Sequence, residues 1–208
     1  MTTMEKVDLK KSLESFRAKA GDFRMLTVPP LRYLMIDGSG DPNTAPQYAD
    51  AVSTLYPLAY TVKFASKRAL DRDYVVPPLE ALWWADDMAA FTTARDKTQW
   101  EWTVMLMLPE WIEDALVEES IERVRVKKNP PRLAEVRVEI LDEGMCVQTL
   151  HVGPYDDEGP VLEALHSEIL PSRGLVPAGR HHEIYLKDPR TTAPERLQTI
   201  LRQPVAAA

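Results

Sequence analysis

The feature that most constrains this chain is a repeated order of parts. Near its start, residues 23–28 and 31–36 read as two extended segments broken by Pro29-Pro30, followed by the turn Asp37-Gly38-Ser39-Gly40-Asp41-Pro42. Thr44 is placed as an N-cap with Pro46 in the first turn, and Val52, Leu55, Ala59 and Val62 then recur at helical spacing to about Ala69. Pro57 falls inside this helix and is expected to kink it. A strand over 79–84 ending at Asp86-Asp87, a polar loop and a strand over 100–108 complete the set. The same order returns after Lys128-Asn129-Pro130-Pro131. Strands over 136–140 and 146–152 lead through Gly153-Pro154-Tyr155 into a helix carrying Val161, Leu162, Leu165 and Ile169. Strands around Glu183 and over 197–205 follow. Trp83-Trp84-Ala85-Asp86-Asp87 is echoed by Tyr185-Leu186-Lys187-Asp188-Pro189, and Met107-Leu108-Pro109 by Arg202-Gln203-Pro204. The matching order of elements is the stronger sign of duplication.

The pattern predicts an α+β fold of two strand–helix–strand–strand halves related by a pseudo-twofold. Each half is expected to form its own sheet, with helices over one side and a ligand cleft between the halves. The expected divisions are an N-terminal arm over 1–20, loosely docked as a short helix, a first half over 21–128 with a connecting helix, and a second half over 129–208. The connecting helix carries Ile112, Leu116, Val117, Ile121 and Val124. Its acids come early and its bases late, as a helix dipole prefers.

Composition narrows the function classes. A formal net charge of -7 argues against a nucleic-acid partner, because phosphate contacts need a basic surface. No apolar run approaches the ~20 residues of a membrane span, and the charged stretch 1–19 has no signal-peptide core. One cysteine, Cys146, suits a reducing, cytoplasmic setting and a core position. No His/Cys/Asp spacing resembles a zinc site, so neither metal nor cofactor is expected. Gly38-Ser39-Gly40 lacks the Lys-Ser/Thr of a phosphate loop. Monomer and homodimer are both compatible with the sequence.

Chemistry concentrates on the strand around Glu183. Side chains alternate across a strand, so Ile184 and Leu186 face one way while Glu183, Tyr185 and Lys187 face the other. His181 and His182 are adjacent and project oppositely. In the repeat frame, Tyr185 and Trp83 are rough equivalents on a shared cleft, and only one of Trp83 and Trp84 can reach it. A carboxylate set among aromatic rings loses hydration, which favours its protonated form and suits acid–base work near neutrality. It also attracts a cationic ligand, to which the ring faces add ~1–2 kcal/mol. Glu183 and Tyr185 are therefore the candidate catalytic residues. Trp83, Trp84, Trp102, Met105, His151 and Tyr155 are the candidate ligand-binding residues, although core packing is the plainer role for each tryptophan and a satisfied structural histidine the plainer one for His151.

Several of these stretches carry a family resemblance. Gly153-Pro154-Tyr155 after a strand, His182-Glu183-Ile184-Tyr185-Leu186 ending in Asp188-Pro189, and Ala193-Pro194-Glu195 resemble the GyrI-like small-molecule-binding family. That family includes the BmrR-type effector-binding domains of multidrug-sensing regulators. Tyr33-Leu34-Met35-Ile36-Asp37-Gly38 and Leu79-Glu80-Ala81-Leu82-Trp83-Trp84 are similar to a stand-alone subfamily. The resemblance implies a pocket between pseudo-repeats for planar apolar or cationic small molecules, with a central glutamate matching Glu183. Some stand-alone members are cyclopropanoid cyclopropyl hydrolases, which open the strained ring of DNA-alkylating natural products. Two functions follow as expectations. One is hydrolytic detoxification of such xenobiotics; the other is non-catalytic multidrug binding, as a sequestering or sensor module. A pure interaction domain, its cleft filled by its own side chains, is the third possibility.

Overall fold

The protein is described by a computed structural model over residues 6–85 and 96–208. Its strands, in chain order, are β1 (Lys6–Val7) in the N-terminal arm, then β2 (Arg24–Val28), β3 (Leu31–Ser39), β4 (Asp73–Tyr74), β5 (Leu79–Trp84) and β6 (Glu101–Leu108) in the first half. In the second half they are β7 (Arg137–Leu141), β8 (Gly144–Val152), β9 (Leu175–Pro177), β10 (His181–Tyr185) and β11 (Gln198–Ala207). The main helices are α1 (Pro46–Ala69), α2 (Asp114–Lys127) and α3 (Gly159–Ala164), the last continued by a π-helical turn, Leu165–Ile169. The polar loop with Asp86 and Asp87, to which the sequence assigned a strand end and part of an internal echo, lies outside the described residues.

The two halves do not form separate sheets. Their strands join in one sheet of order β2-β8-β11-β10-β5-β6-β3-β7, with β9 hydrogen-bonded to β11. The seam is the antiparallel pair β5–β10, in which Glu183 stands opposite Ala81 and His181 opposite Trp83. Each half also lends a border strand to the other. β2 precedes the first half's β3 but pairs with β8, and β7 precedes β8 but pairs with β3. A seam between two hydrogen-bonding edges satisfies backbone groups that two separate sheets would leave open.

Alternation divides the sheet into two faces. On one, Leu34, Ile36, Ala81, Trp83, Trp102, Val104 and Leu106 pack under α1 and α2 through Leu55, Leu58, Val62, Val117 and Val124. The same face in the second half packs Val147 and Val205 under Leu165 and Leu170. On the reverse face, Tyr33, Met35, Leu82, Met105, Met107, Ile184 and Ile200 are covered by Phe16, Leu9 and Leu13 of the N-terminal arm.

That arm is neither one helix nor loosely held. It consists of β1, one helical turn over Leu9–Ser12 and a 3-10 turn over Glu14–Phe16. The Ser15 carbonyl accepts from buried Arg202 Nη2 at 2.6 Å, and the Arg17 carbonyl from Gln148 Nε2 at 3.0 Å. Buried donors on the sheet need acceptors, and the arm's carbonyls supply them. α1 runs through Pro57 as a single helix, and Thr61 Oγ1 donates to the Pro57 carbonyl at 2.7 Å. Its N-cap is Ala45 rather than Thr44, with no side-chain cap. α2 ends where Asn129 takes φ 40°, a left-handed turn that Asn tolerates. The predicted linker begins there.

Candidate functional site

Where α1 and α3 diverge above the seam, a cavity of 1530 Å³ opens on the helical face of the sheet. This volume exceeds the ~300–1,000 Å³ usual for small-molecule sites. Its floor is Glu183, Tyr185 and Trp83. One wall is α1, through Tyr48, Val52 and Tyr56, and the other is the segment 154–167, through Tyr155, Glu158 and His166. Asp8 and Lys10 of the arm also reach it.

Glu183 is 8% exposed, at the centre of the sheet and opposite a residue no larger than Ala81. Tyr185, on the same face, donates its hydroxyl to Glu183 Oε2 at 2.7 Å. The Trp83 indole Nε1 donates in turn to the Tyr185 hydroxyl at 3.1 Å. Two equivalently placed aromatics, one from each half, thus end in a single chain of hydrogen bonds on one carboxylate. Among the described residues, the ion pairs give Glu183 a histidine neighbour, His181, and no lysine or arginine.

The aromatic lining is built in contact. Tyr48 stacks on Trp83 with ring centres 5.9 Å apart, and Trp100 meets Trp83 edge-on at 5.6 Å. Tyr155 meets Tyr185 edge-on at 5.5 Å. Burial, reinforced by Glu183, raises the pKa values of Tyr185 and Tyr48 above the usual phenol range. Burial, with Glu158 and then Glu183 beside it, pushes the Tyr155 phenol up to about 12. At neutral pH all three are uncharged hydrogen-bonding rings. His166 is pushed down to about 4 by burial and by His181, so it too is uncharged.

The structure places the sequence candidates unequally. It brings Glu183, Tyr185, Trp83 and Tyr155 together on the cavity. Trp84 points to the reverse face, where the Arg180 guanidinium lies 3.5 Å from its ring centre. Met105 is fully buried on that same reverse face, because it pairs in register with Glu80 rather than with Ala81. Trp102 shares the helical face but is completely covered. Its ring meets Tyr48 edge-on at 5.0 Å, and its Nε1 donates to the Gly40 carbonyl at 3.2 Å, so it supports the wall from behind. His151 turns Nε2 to the Pro154 carbonyl at 3.0 Å, which fixes the loop bearing Tyr155 without lining the cavity.

The sequence reading did not single out Tyr48, Tyr56, Glu158 and His166. The four-residue spacing of Tyr48, Val52, Tyr56 and Tyr60 was the available signal, a stripe beside the apolar one. The π-helical turn that carries His166 has no sequence signature of comparable strength. Among the described residues no group of three or more His, Cys, Asp or Glu is arranged to hold a metal, and no helix is long and apolar enough to cross a membrane.

Comparisons with known proteins find the same fold elsewhere. An uncharacterized conserved protein from Listeria innocua superposes with a TM-score of 0.87 at 37% identity, over 97% of this chain and 100% of that one. Two hydrolase structures from Listeria innocua give TM-scores of 0.83 and 0.85, each at 36% identity with the same coverage. The EcmrR C-terminal domain shares the fold, with a TM-score of 0.57 at 10% identity over 90% of this chain and 98% of that one. No curated protein matches the sequence. The family described as the GyrI-like small molecule binding domain matches residues 21–206, and the chain belongs to that family.

Proposed function

We propose that the protein takes planar lipophilic or cationic small molecules into the cavity and hydrolyses those that carry a strained cyclopropane, detoxifying DNA-alkylating xenobiotics. The observation that carries this reading is the state of Glu183. It is a buried carboxylate on the floor of an aromatic cavity, oriented by a tyrosine and not neutralised by a lysine or arginine among the described residues. The hydrolase name of two similar Listeria structures supports the same direction.

In this reading Glu183 accepts a proton from a water that attacks the strained ring carbon. The carbon–carbon bond breaks, its electron pair moves to the conjugated carbonyl oxygen, and that oxygen takes up the proton, so one water is added. Tyr185 spends its hydroxyl on Glu183 and therefore orients the base. The rings exclude bulk water and hold the flat substrate, while Trp83 and Tyr48 offer faces to a cation. The test is incubation of a cyclopropane-fused dienone with wild type and Glu183→Gln. Wild type is expected to yield the water adduct, and the variant to lose about 10²-fold or more in rate. Equal rates in both would remove Glu183 from the chemistry.

A second reading is a sequestering or sensor module without turnover. It is favoured by Glu158, a second buried acid on the same cavity, since paired acids among aromatic faces suit a lipophilic cation with no chemistry at all. Saturable binding with the compound recovered unchanged by mass spectrometry would select it.

A further inference from the structure

His181 lies two residues before Glu183 on β10, on the same face, and is 5% exposed. Its Nε2 is 3.6 Å from Glu183 Oε1, while Tyr185, two residues after Glu183, holds Oε2 at 2.7 Å. The period of the strand thus puts one ring on each side of a single carboxylate. Opposite His181 in the β5 register stands Trp83, which carries no charge. Two titratable groups placed beside His181 are Glu183 from its own strand and His166 from the π-helical turn after α3. His166 lines the cavity, so the row Glu183–His181–His166 runs from the buried floor to the cavity wall.

We propose that His181 is a positioning residue for Glu183 that also shares its proton. This inference rests on the hydrolase reading above. A carboxylate that takes a proton from water must give it up again, and imidazole is the side chain whose ordinary range allows that exchange near neutrality. Once the pair closes from 3.6 Å to hydrogen-bond distance, the proton collected at Glu183 passes from Oε1 to His181 Nε2, giving a carboxylate beside an imidazolium. It then returns through Glu183 to the oxygen of the ring-opened product. No electron is gained or lost, and the proton count closes. With His181 beside Oε1 at 3.6 Å and Tyr185 on Oε2 at 2.7 Å, the two rings flank the carboxylate from opposite sides along the strand.

Two measurements test this. In the first, the imidazole nitrogens of the 4 histidines are followed by NMR against pH in wild type and Glu183→Gln. The His181 midpoint is expected to be lower in the variant than in wild type, because a neighbouring carboxylate stabilises the imidazolium. An unchanged midpoint overturns the proposal, whether or not wild type hydrolyses anything. The second is the pH–rate profile of cyclopropane hydrolysis in His181→Gln. A loss of about tenfold or more in kcat is expected, with KM within about twofold and one limb of the profile missing. A uniform loss with the profile intact would reduce His181 to a structural role. A shifted midpoint without hydrolysis in wild type upholds the shared proton and overturns the hydrolase reading.

Discussion

The Tyr185 hydroxyl donates to Glu183 Oε2 at 2.7 Å and is itself held by the Trp83 indole at 3.1 Å. The donor of that pair sets the direction of the carboxylate, and the ring remains part of the lining when the hydroxyl is removed. Under the hydrolysis proposed above, Tyr185→Phe is therefore expected to lower kcat for ring opening about tenfold or more, or ~1.4 kcal/mol in the barrier. Affinity for flat cations should stay within about threefold. Steady-state kinetics beside titration calorimetry separates the two effects. An unchanged kcat would show that the tyrosine does not aim the base.

The neighbouring tryptophans give an internal control, since Trp83 lines the cavity and Trp84 packs under Arg180 on the reverse face. Trp83→Leu is expected to weaken binding of a lipophilic cation by ~1–2 kcal/mol through loss of the ring face. Trp84→Phe should leave binding unchanged. Ligand titration followed by intrinsic fluorescence reads both, and equal losses would contradict the assignment of faces.

Gly38 is a test of packing rather than of function. A Cβ built there would lie 2.1 Å from the Trp102 ring, in the middle of a completely covered indole. Gly38→Ala is expected to cost about 1–3 kcal/mol, the usual penalty of overpacking. Urea unfolding would measure it.

The reverse face holds a buried charge cluster that links stability to pH. His182 sits between Glu143, 2.9 Å from Nδ1, and Glu80, 3.0 Å from Nε2. Arg202 holds the second Glu143 oxygen at 2.7 Å. Burial pushes Glu143 up, but His182 and Arg202 outweigh it and hold the carboxyl down to about 2. Burial pushes His182 down, but Glu143 and Glu80 outweigh it and raise the ring above its ordinary value. The Glu143 contribution is complete above about 4.3, its unfolded value, and is lost as pH falls toward its folded one. The His182 contribution is complete below about 6.5 and is lost as pH rises through its raised folded value. The urea midpoint should be highest between those limits, and His182→Gln should abolish its alkaline fall.

Arg202→Met removes the partner of one Glu143 oxygen, leaving His182 on the other, and one of the two donors to the Ser15 carbonyl, the second being Gln148 Nε2. A loss of about 3–5 kcal/mol is expected, as for breaking a buried ion pair from one side. Limited proteolysis of the arm near Arg17 should quicken with it. A stable variant with a protected arm would contradict the role given to this cluster.

Much of this was legible in the sequence for a plain reason. The alternation of Glu183 and Tyr185 against Ile184, and the return of the same order of elements, depend on local geometry alone. The seam was not legible, because whether two half-sheets stay apart or join depends on edges that sequence does not display. The covering of Trp102 and Met105 follows from register, which one strand cannot reveal about another. The Arg202–Ser15 contact spans almost the whole chain, and nothing near either residue announces it. The sequence resemblance placed Glu183 at a pocket centre, but not the histidine beside it.

The exchange of border strands has a consequence for any attempt to divide this molecule. Cut after position 128, each fragment would carry away a ribbon that belongs to its sibling's sheet and would leave its own flank bare. Such pieces are expected to clump when made alone and to reassemble the full sheet when made together, because each holds the missing margin of the other.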